Sequence, residues 1–370
     1  MNSAKIVQED LLTGLNMVNK AIGARVVMPI LLNICLTFNK EGLTLFATDL
    51  ELGIETTVPC KKNDTFTTTI PAKIFTDLIA TLQSQVIDLQ YNEETETMTV
   101  KGTKSKHNIK CIPSKDFPKP PAKNSKEMFS LETTAFKTSI SRILFSASEE
   151  DNKPVLKSVI FALEKKEVVI YATDGFRASL RTLPVKGLKV ESTKIIIPSI
   201  VVSEAAKVVD GEKVSFSFNQ NLVTITSDKT KVYGQVVAGK APDHKLIEQM
   251  IQGIQSVIVK VNTAELLNLC KQADIFASKD ELKFLRMDTD LTGITITGNA
   301  QQIGDSTGKI NAAVTGAPMN ISVSSSFLRE FLSAIKTPEV QINMKDSKSP
   351  IVVYAEEVPG YWHMIMPVAQ

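Results

Sequence analysis

Residues that bind metals or form disulfides are scarce in this chain of 370 residues. Cys35, Cys60, Cys111 and Cys270 lie far apart with no CxxC pair, and the histidines are His107, His244 and His363 alone. A zinc site needs such ligands clustered, so no metal or other cofactor is expected and the thiols are read as buried and reduced. Long apolar runs are missing too. The longest candidate, SVIVKVNTAELLNL, is broken by Lys260, Asn262 and Glu265, and no stretch reaches the ~18 apolar residues of a membrane span. The N-terminal MNSAKIVQEDLL lacks the apolar core of a signal peptide, so a cytoplasmic protein is expected. Excess charge of one sign is absent: 42 Lys+Arg against 40 Asp+Glu leave a net charge of +2. That excludes a densely basic DNA-coating protein and an acidic disordered chain. There is no phosphate loop GxxxxGK(S/T), no GxSxG elbow and no grouped nucleophile and base, which argues against ATP-driven or hydrolytic chemistry.

What the chain does have is an ordinary globular composition, 43% hydrophobic and 22% charged. Its length allows two to four domains of about 100–200 residues. It also has a repeat. Amphipathic stripes with steps of four and three residues occur at Leu11, Leu15 and Val18, at Phe136, Ile140 and Ile143, and at Leu266, Cys270 and Ala273. Each puts one apolar face on a helix. Strand-like segments rich in β-branched and aromatic residues end at Asp49, Asp174 and Asn299. A second helix is expected to start at Pro71, Pro198 and Ser324, where a missing N–H is harmless or a hydroxyl can cap. All three markers recur with a spacing near 125 residues, so a triplicated unit is predicted. DFPKPPAKNSKE (116–127) reads as a linker and APDHKLIEQMIQGIQS (241–256) as a second junction. The expected domains are 1–120, 127–247 and 256–370.

Each unit would carry two helices and about eight short strands, an α+β design in which helices cover one face of antiparallel sheets. The outer helix faces carry Thr13, Asn16, Lys20, Lys137, Ser141, Arg142, Asn268, Lys271 and Gln272, with Lys73, Lys207 and Arg329 from the second helices. If units joined edge to edge with helices inside, six helices at ~10 Å spacing would leave a hole of only about 9 Å, and twelve about 28 Å. B-DNA, at about 20 Å, fits the second case alone. One chain could not encircle a duplex; two could.

Several segments carry a family resemblance: ARVVMPILLNICL (24–36), ATDLELGIE (47–55), IPAKIFTDLI (70–79), KDFPKPP (115–121), KPVLKSVIF (153–161), YATDGFRASL (171–180), APDHK (241–245) and HMIMPV (363–368). They span the whole length, and the chain resembles the bacterial β sliding clamps, the DNA polymerase III subunit beta family. The resemblance implies three clamp-fold domains, a head-to-tail homodimer forming a six-domain ring, and a nucleoid-associated processivity factor without catalysis. It would encircle double-stranded DNA irrespective of sequence and hold the replicative polymerase, the clamp loader and repair proteins by short peptides. By position, the peptide pocket would use Leu156, Thr173, Gly175, Phe176 and Arg177, then Pro242 and Ile247, then Met364, Met366, Pro367 and Val368. DNA contacts would fall on Arg25, Lys73 and Lys153, and the dimer interface on His107, Ile109, Ile275 and Phe276. Departures from the family pattern cluster at the pocket: Phe176 for His, Ala178 for Leu, Leu246 for Arg, Lys348 and Pro350 for Val and Ser, and a VAQ tail. His107 replaces a usual aromatic. A phage or organelle clamp fits the same residues.

Plainer readings stand beside these. Asp174-Gly175 is by itself a strong turn signal. Asp288-Thr289-Asp290 and Glu149-Glu150-Asp151 could each hold a divalent ion, and a metal-dependent enzyme would use the first, although acidic pairs are mostly solvated turns. His363, beside Trp362, reads as a packed strand residue rather than a general base.

Overall fold

One order of elements occurs three times: strand, helix, four strands, helix, three strands. The computed structural model shows it for residues 2–23, 28–62, 65–121, 127–185, 188, 192–219, 221–276, 284–300 and 304–368, the part of the chain described below. The first copy opens with strand Asn2–Val7 and helix α1 (Gln8–Val18), carries α2 (Ala72–Thr81) and ends at Lys106–Lys110. The second opens with Glu127–Glu132 and α3 (Thr133–Ile143), carries α4 (Ser199–Val208) and ends at Thr230–Gln235. Helix α5 (His244–Gln252) follows. The third copy opens with Val257–Asn262 and α6 (Thr263–Ile275), carries α7 (Ser325–Ile335) and ends at Tyr361–Ile365. Besides α5, two short strands, Lys61–Lys62 and Ala313–Thr315, are added to this order among the described residues.

The nine stripe residues predicted from the spacing are all buried to 1% exposure or less. Full burial of a large apolar side chain is worth about 1.5–3 kcal/mol, so these stripes, not helix propensity, fix the helices on the sheets.

The second helices start differently from the expectation. Pro71 and Pro198 are the last residues of the strands Phe66–Pro71 and Thr193–Pro198, and the helices begin one residue later. Both strands lie at sheet edges, where proline's lack of a ladder donor does no harm. Ser324 likewise precedes α7, and its hydroxyl pairs with Ser326 Oγ at 3.0 Å instead of capping a backbone N–H.

The chain forms two compact units, 1–136 with 200–236, and 137–199 with 237–370. The first unit holds a five-stranded antiparallel sheet whose free edge is Lys106–Lys110, and an eight-stranded sheet. The eight-stranded sheet takes strands from two copies: Thr230–Gln235 pairs with Leu52–Val58, placing Tyr233 opposite Gly53. The second unit holds a four-stranded sheet with Gly304–Asn311 at one edge, and a nine-stranded sheet. In the latter Arg177–Pro184 pairs with Tyr361–Ile365, again joining strands of two copies. The strands of the second copy are therefore divided between the two units by continuous hydrogen-bond ladders.

The second junction is not a plain connection. Within 241–256, Asp243 caps α5 through its side chain, which accepts from Lys245 N, and Gly253 closes the helix. Ile247, Ile251 and Ile254 pack with Tyr171, Ala178 and Met364 on the nine-stranded sheet. Among the described residues no helix is long and apolar enough to cross a membrane.

Gly298 shows how closely helix and sheet approach. A Cβ there would lie 2.3 Å from the carbonyl oxygen of Ala273 in α6, and backbone cannot yield as a side chain can. Gly298→Ala is expected to destabilise the fold by about 1–3 kcal/mol, read as a lower urea midpoint; an unchanged midpoint would show that α6 sits less tightly.

Candidate functional site

The site begins with a turn in the second unit. The strand Glu167–Thr173 ends, and the chain reverses into Arg177–Pro184. Asp174 Oδ1 accepts from the backbone N–H groups of Phe176 at 2.9 Å and Arg177 at 3.0 Å. Thr173 Oγ1 donates to Arg177 O at 2.6 Å and accepts from Gly175 N at 3.1 Å. Gly175 has φ +98° with nothing within 4 Å of a would-be Cβ, so the dihedral, not space, asks for glycine. The first copy builds the same turn: Asp49 Oδ1 accepts from Glu51 N and Leu52 N, and Thr48 Oγ1 donates to Leu52 O. Both aspartates are turn-formers. In the third copy the strand runs through Asn299, from Gly293 to Ala300.

This turn throws Phe176 outward, 63% exposed. Beside it runs the C-terminal segment. Met366 N donates to Phe176 O at 2.8 Å, Pro367 bridges to Val323, and Val368 N donates to Ser322 O at 2.8 Å. Met366 is exposed and Met364 buried. Beneath them Ile247 of α5, Tyr171, Ala178 and Met364 form one apolar cluster, with Val155 and Ala241 packed against it. The Tyr171 hydroxyl donates to Pro242 O at 2.6 Å, anchoring the approach to α5. Burial and the Asp243 carboxylate raise the Tyr171 phenol well above its ordinary range, so it stays a neutral donor. Leu156 is half-buried next to Val155. An adaptable apolar surface with methionine and an exposed aromatic is suited to a short peptide rather than to chemistry.

Arg177, expected at the pocket, is tied into the turn that carries it. It is 9% exposed: Nε donates to Asp174 Oδ2 at 2.9 Å, Nη1 to Glu330 Oε2 at 2.5 Å, and the guanidinium lies 4.1 Å from the Phe327 ring centroid. It braces the turn against α7. The Thr173 hydroxyl is likewise spent on the turn. No local sequence pattern ties the first turns of α7 to residue 177, so Phe327 and Glu330, which hold Arg177, become visible only in the fold.

The predicted cations fare unequally. Arg25 lies outside the described residues. Lys73 is exposed on α2, and no hydrogen bond or ion pair is found for it among the described residues. Lys153 Nζ is 2.9 Å from Glu150 Oε1, so its charge is locally matched. Arg142 donates to Ile335 O and lies over the Tyr361 ring, and Arg329 pairs with Asp274; these two are structural, not free helix-face cations. Of the residues assigned to a dimer interface, His107 is half-buried on an edge strand, Ile275 is 71% exposed and Phe276 caps α6. Ile109 is 7% exposed, already in the core of its own sheet.

The aspartates weighed as metal ligands are engaged elsewhere. Asp288 accepts from Arg286 Nε on Oδ2 and from Nη2 on Oδ1, each at 3.0 Å, and Asp290 Oδ2 accepts from Lys309 Nζ at 2.6 Å. Lys309 and Thr292 hold the Asp290 carboxyl far below the usual range. His363 is buried, with Nδ1 2.8 Å from Ser179 Oγ, itself 2.8 Å from Ser146 Oγ, and its ring stacks on Phe331. Burial, aided by Arg177, pushes its pKa down to about 3. The unfolded chain therefore binds a proton there that the folded chain refuses. Stability is full above about pH 6.5 and is expected to fall by about 1.4 kcal/mol per pH unit for this proton down to its folded value. His244, lowered by burial and then by Lys194, acts in the same direction. Urea midpoints at pH 7 and pH 5 test this; equal midpoints would contradict it.

A threefold α+β scaffold whose strands join across copies into continuous sheets defines a clamp-type fold. Comparison with known proteins agrees. The sequence profiles of the DNA polymerase III beta subunit match in order: N-terminal domain at 3–121, central domain at 130–243 and C-terminal domain at 252–369. The beta sliding clamp of Staphylococcus epidermidis is 23% identical over 365 residues, covering 96% of each chain, and that of Staphylococcus aureus 22% over 374 residues, covering 98%. The DNA polymerase sliding clamp of Bacillus subtilis superposes with a TM-score of 0.93 at 20% identity, covering 100% of this chain and 99% of the other. The beta subunit from Streptococcus pyogenes gives 0.94 at 21%, covering 100% of both. The chain belongs to the DNA polymerase III beta subunit family, with three clamp domains and the non-catalytic role of a sliding-clamp processivity factor.

Proposed function

We propose that two copies of this chain close head to tail into a six-domain ring that encircles duplex DNA in the bacterial cytoplasm, at the nucleoid. Domain limits of 1–120, 127–247 and 256–370 fit the repeat of elements. The observation that carries the reading is the threefold element order with free strand edges in its first and last copies, Lys106–Lys110 and Gly304–Asn311. An open edge offers a row of unpaired backbone groups to another strand. His107 and the Lys106–Lys110 backbone on one protomer would meet Ile275 and Phe276 near the other edge of its partner; the buried Ile109 would support the strand from behind.

The reading assigns client binding to Gly175, Phe176, Leu156, Pro242, Ile247, Met364, Met366, Pro367 and Val368, with Thr173 and Arg177 holding the turn. Polymerase, clamp loader and repair proteins are its expected clients. Lys73, with Arg25, supplies sequence-blind phosphate contacts; Lys153 contributes only when it leaves Glu150. Near-neutral charge suits sliding, because a deep electrostatic well would pin the ring to one register. The solution mass tests the assembly. A particle of two chains is expected, and Ile275→Asp should yield monomers. A monomer at all concentrations would overturn the ring.

A further inference from the structure

A cavity of about 170 Å³ lies beside the flank of α5 that carries Glu248 and Gln252. Its floor is the next inward pair along the strands that carry the peptide site: Ala178 stands opposite Met364, and Leu180 opposite Trp362. Tyr354 lines one wall, its ring centroid 4.3 Å from that of Trp362 at 48°, both half-buried. Glu248 and Gln252 of α5 line the opposite side.

Size decides first. Small-molecule sites occupy about 300–1,000 Å³, so this cavity holds one long side chain, not a nucleotide or cofactor. Charge decides next. Glu248 makes no salt bridge among the described residues, and burial with Glu167 and Glu164 nearby holds its carboxyl above the ordinary range; Lys245 on the same helix is the opposing cation. An aromatic pair next to a partly desolvated, unpaired carboxylate attracts a cation. A planar one with several N–H donors satisfies the carboxylate and the amide oxygens while lying on the rings, which an ammonium does less well.

We propose that this cavity receives an arginine side chain of a partner polypeptide. Glu248 accepts from the guanidinium, the packed Trp362–Tyr354 pair lies on one side of it, and Gln252 supplies a further acceptor. The site is distinct from the Phe176–Met366 surface.

Trp362 is the single tryptophan of the chain, so its emission reports directly on the cavity. The full-length protein is titrated at constant ionic strength with N-acetyl-arginine amide, and with the citrulline and lysine equivalents. A saturable change in Trp362 emission with a millimolar dissociation constant is expected for blocked arginine, the range for so small a group, with citrulline and lysine at least ~10-fold weaker. Glu248→Gln is expected to weaken arginine ~10-fold while leaving the unliganded emission and melting temperature unchanged. No saturable response, citrulline or lysine binding as well as arginine, or full arginine affinity in the Glu248→Gln protein would each overturn the proposal.

Discussion

Deletion of residues 366–370 is expected to abolish binding of clamp-binding peptides while leaving the dimer intact. Met366 and Phe176 are the exposed apolar side chains at the mouth of the site, and the Met366 N–Phe176 O bond holds the segment on the turn. Large side chains at the centre of a docking surface act as hot spots, worth about 2 kcal/mol or more each, some 30-fold in affinity. Losing Met366, with the chain that positions Phe176, should take affinity down at least that far. Val368 and Pro367 also tie to Ser322 and Val323, so a modest drop in melting temperature accompanies the deletion. Phe176→Ala separates the two effects, because it removes an exposed ring and leaves those ties. Fluorescence polarisation with a labelled polymerase peptide reads both variants. Unaltered affinity in either would remove the site from this surface.

The second large effect concerns DNA. Replacing Arg25 and Lys73 with alanine together is expected to weaken retention on DNA equally for all sequences. Every cation–phosphate pairing removed lowers the slope of log affinity against log salt by about 0.9, so the double substitution should lower it by about two. Folding should be unchanged, because Lys73 is exposed and unpaired among the described residues. Retention and salt slope equal to the parent's would place the phosphate-binding cations elsewhere.

Much of this is legible in the sequence, for identifiable reasons. The stripes at Leu11, Phe136 and Leu266 are repeated solutions to one packing problem, and all are buried. Asp49 and Asp174 are readable as turn residues because an Asx turn is local: donor and acceptor lie two or three residues apart. Helix α5 is absent from the expectation although its signals are present. Asp243 caps, Ile247, Ile251 and Ile254 recur at helical steps, and Gly253 terminates; the neighbouring Pro242 and the polar run favour a junction instead. The expected helix start at Pro71 is one residue early because proline serves equally at a helix's first turn and in an edge strand.

The fates of Arg177, Arg142 and Arg329 are not legible. Each is bound by groups far along the chain: Glu330 and Phe327, Ile335 and Tyr361, and Asp274 respectively. Whether a cation faces solvent or braces a core depends on such distant partners. The depth of Ile109 is not legible either: strand alternation says that it shares a face with His107, not that it is the more deeply buried of the two.

The central claim is topological, and topology is measured by whether DNA ends matter. The loaded protein is followed on a nicked circular plasmid and on the same plasmid made linear, at a salt concentration that strips simple electrostatic binders. Retention on the circle for many minutes, with rapid loss from the linear form, is the expected result. Equal dissociation from the two forms would mean that the chain does not enclose the duplex.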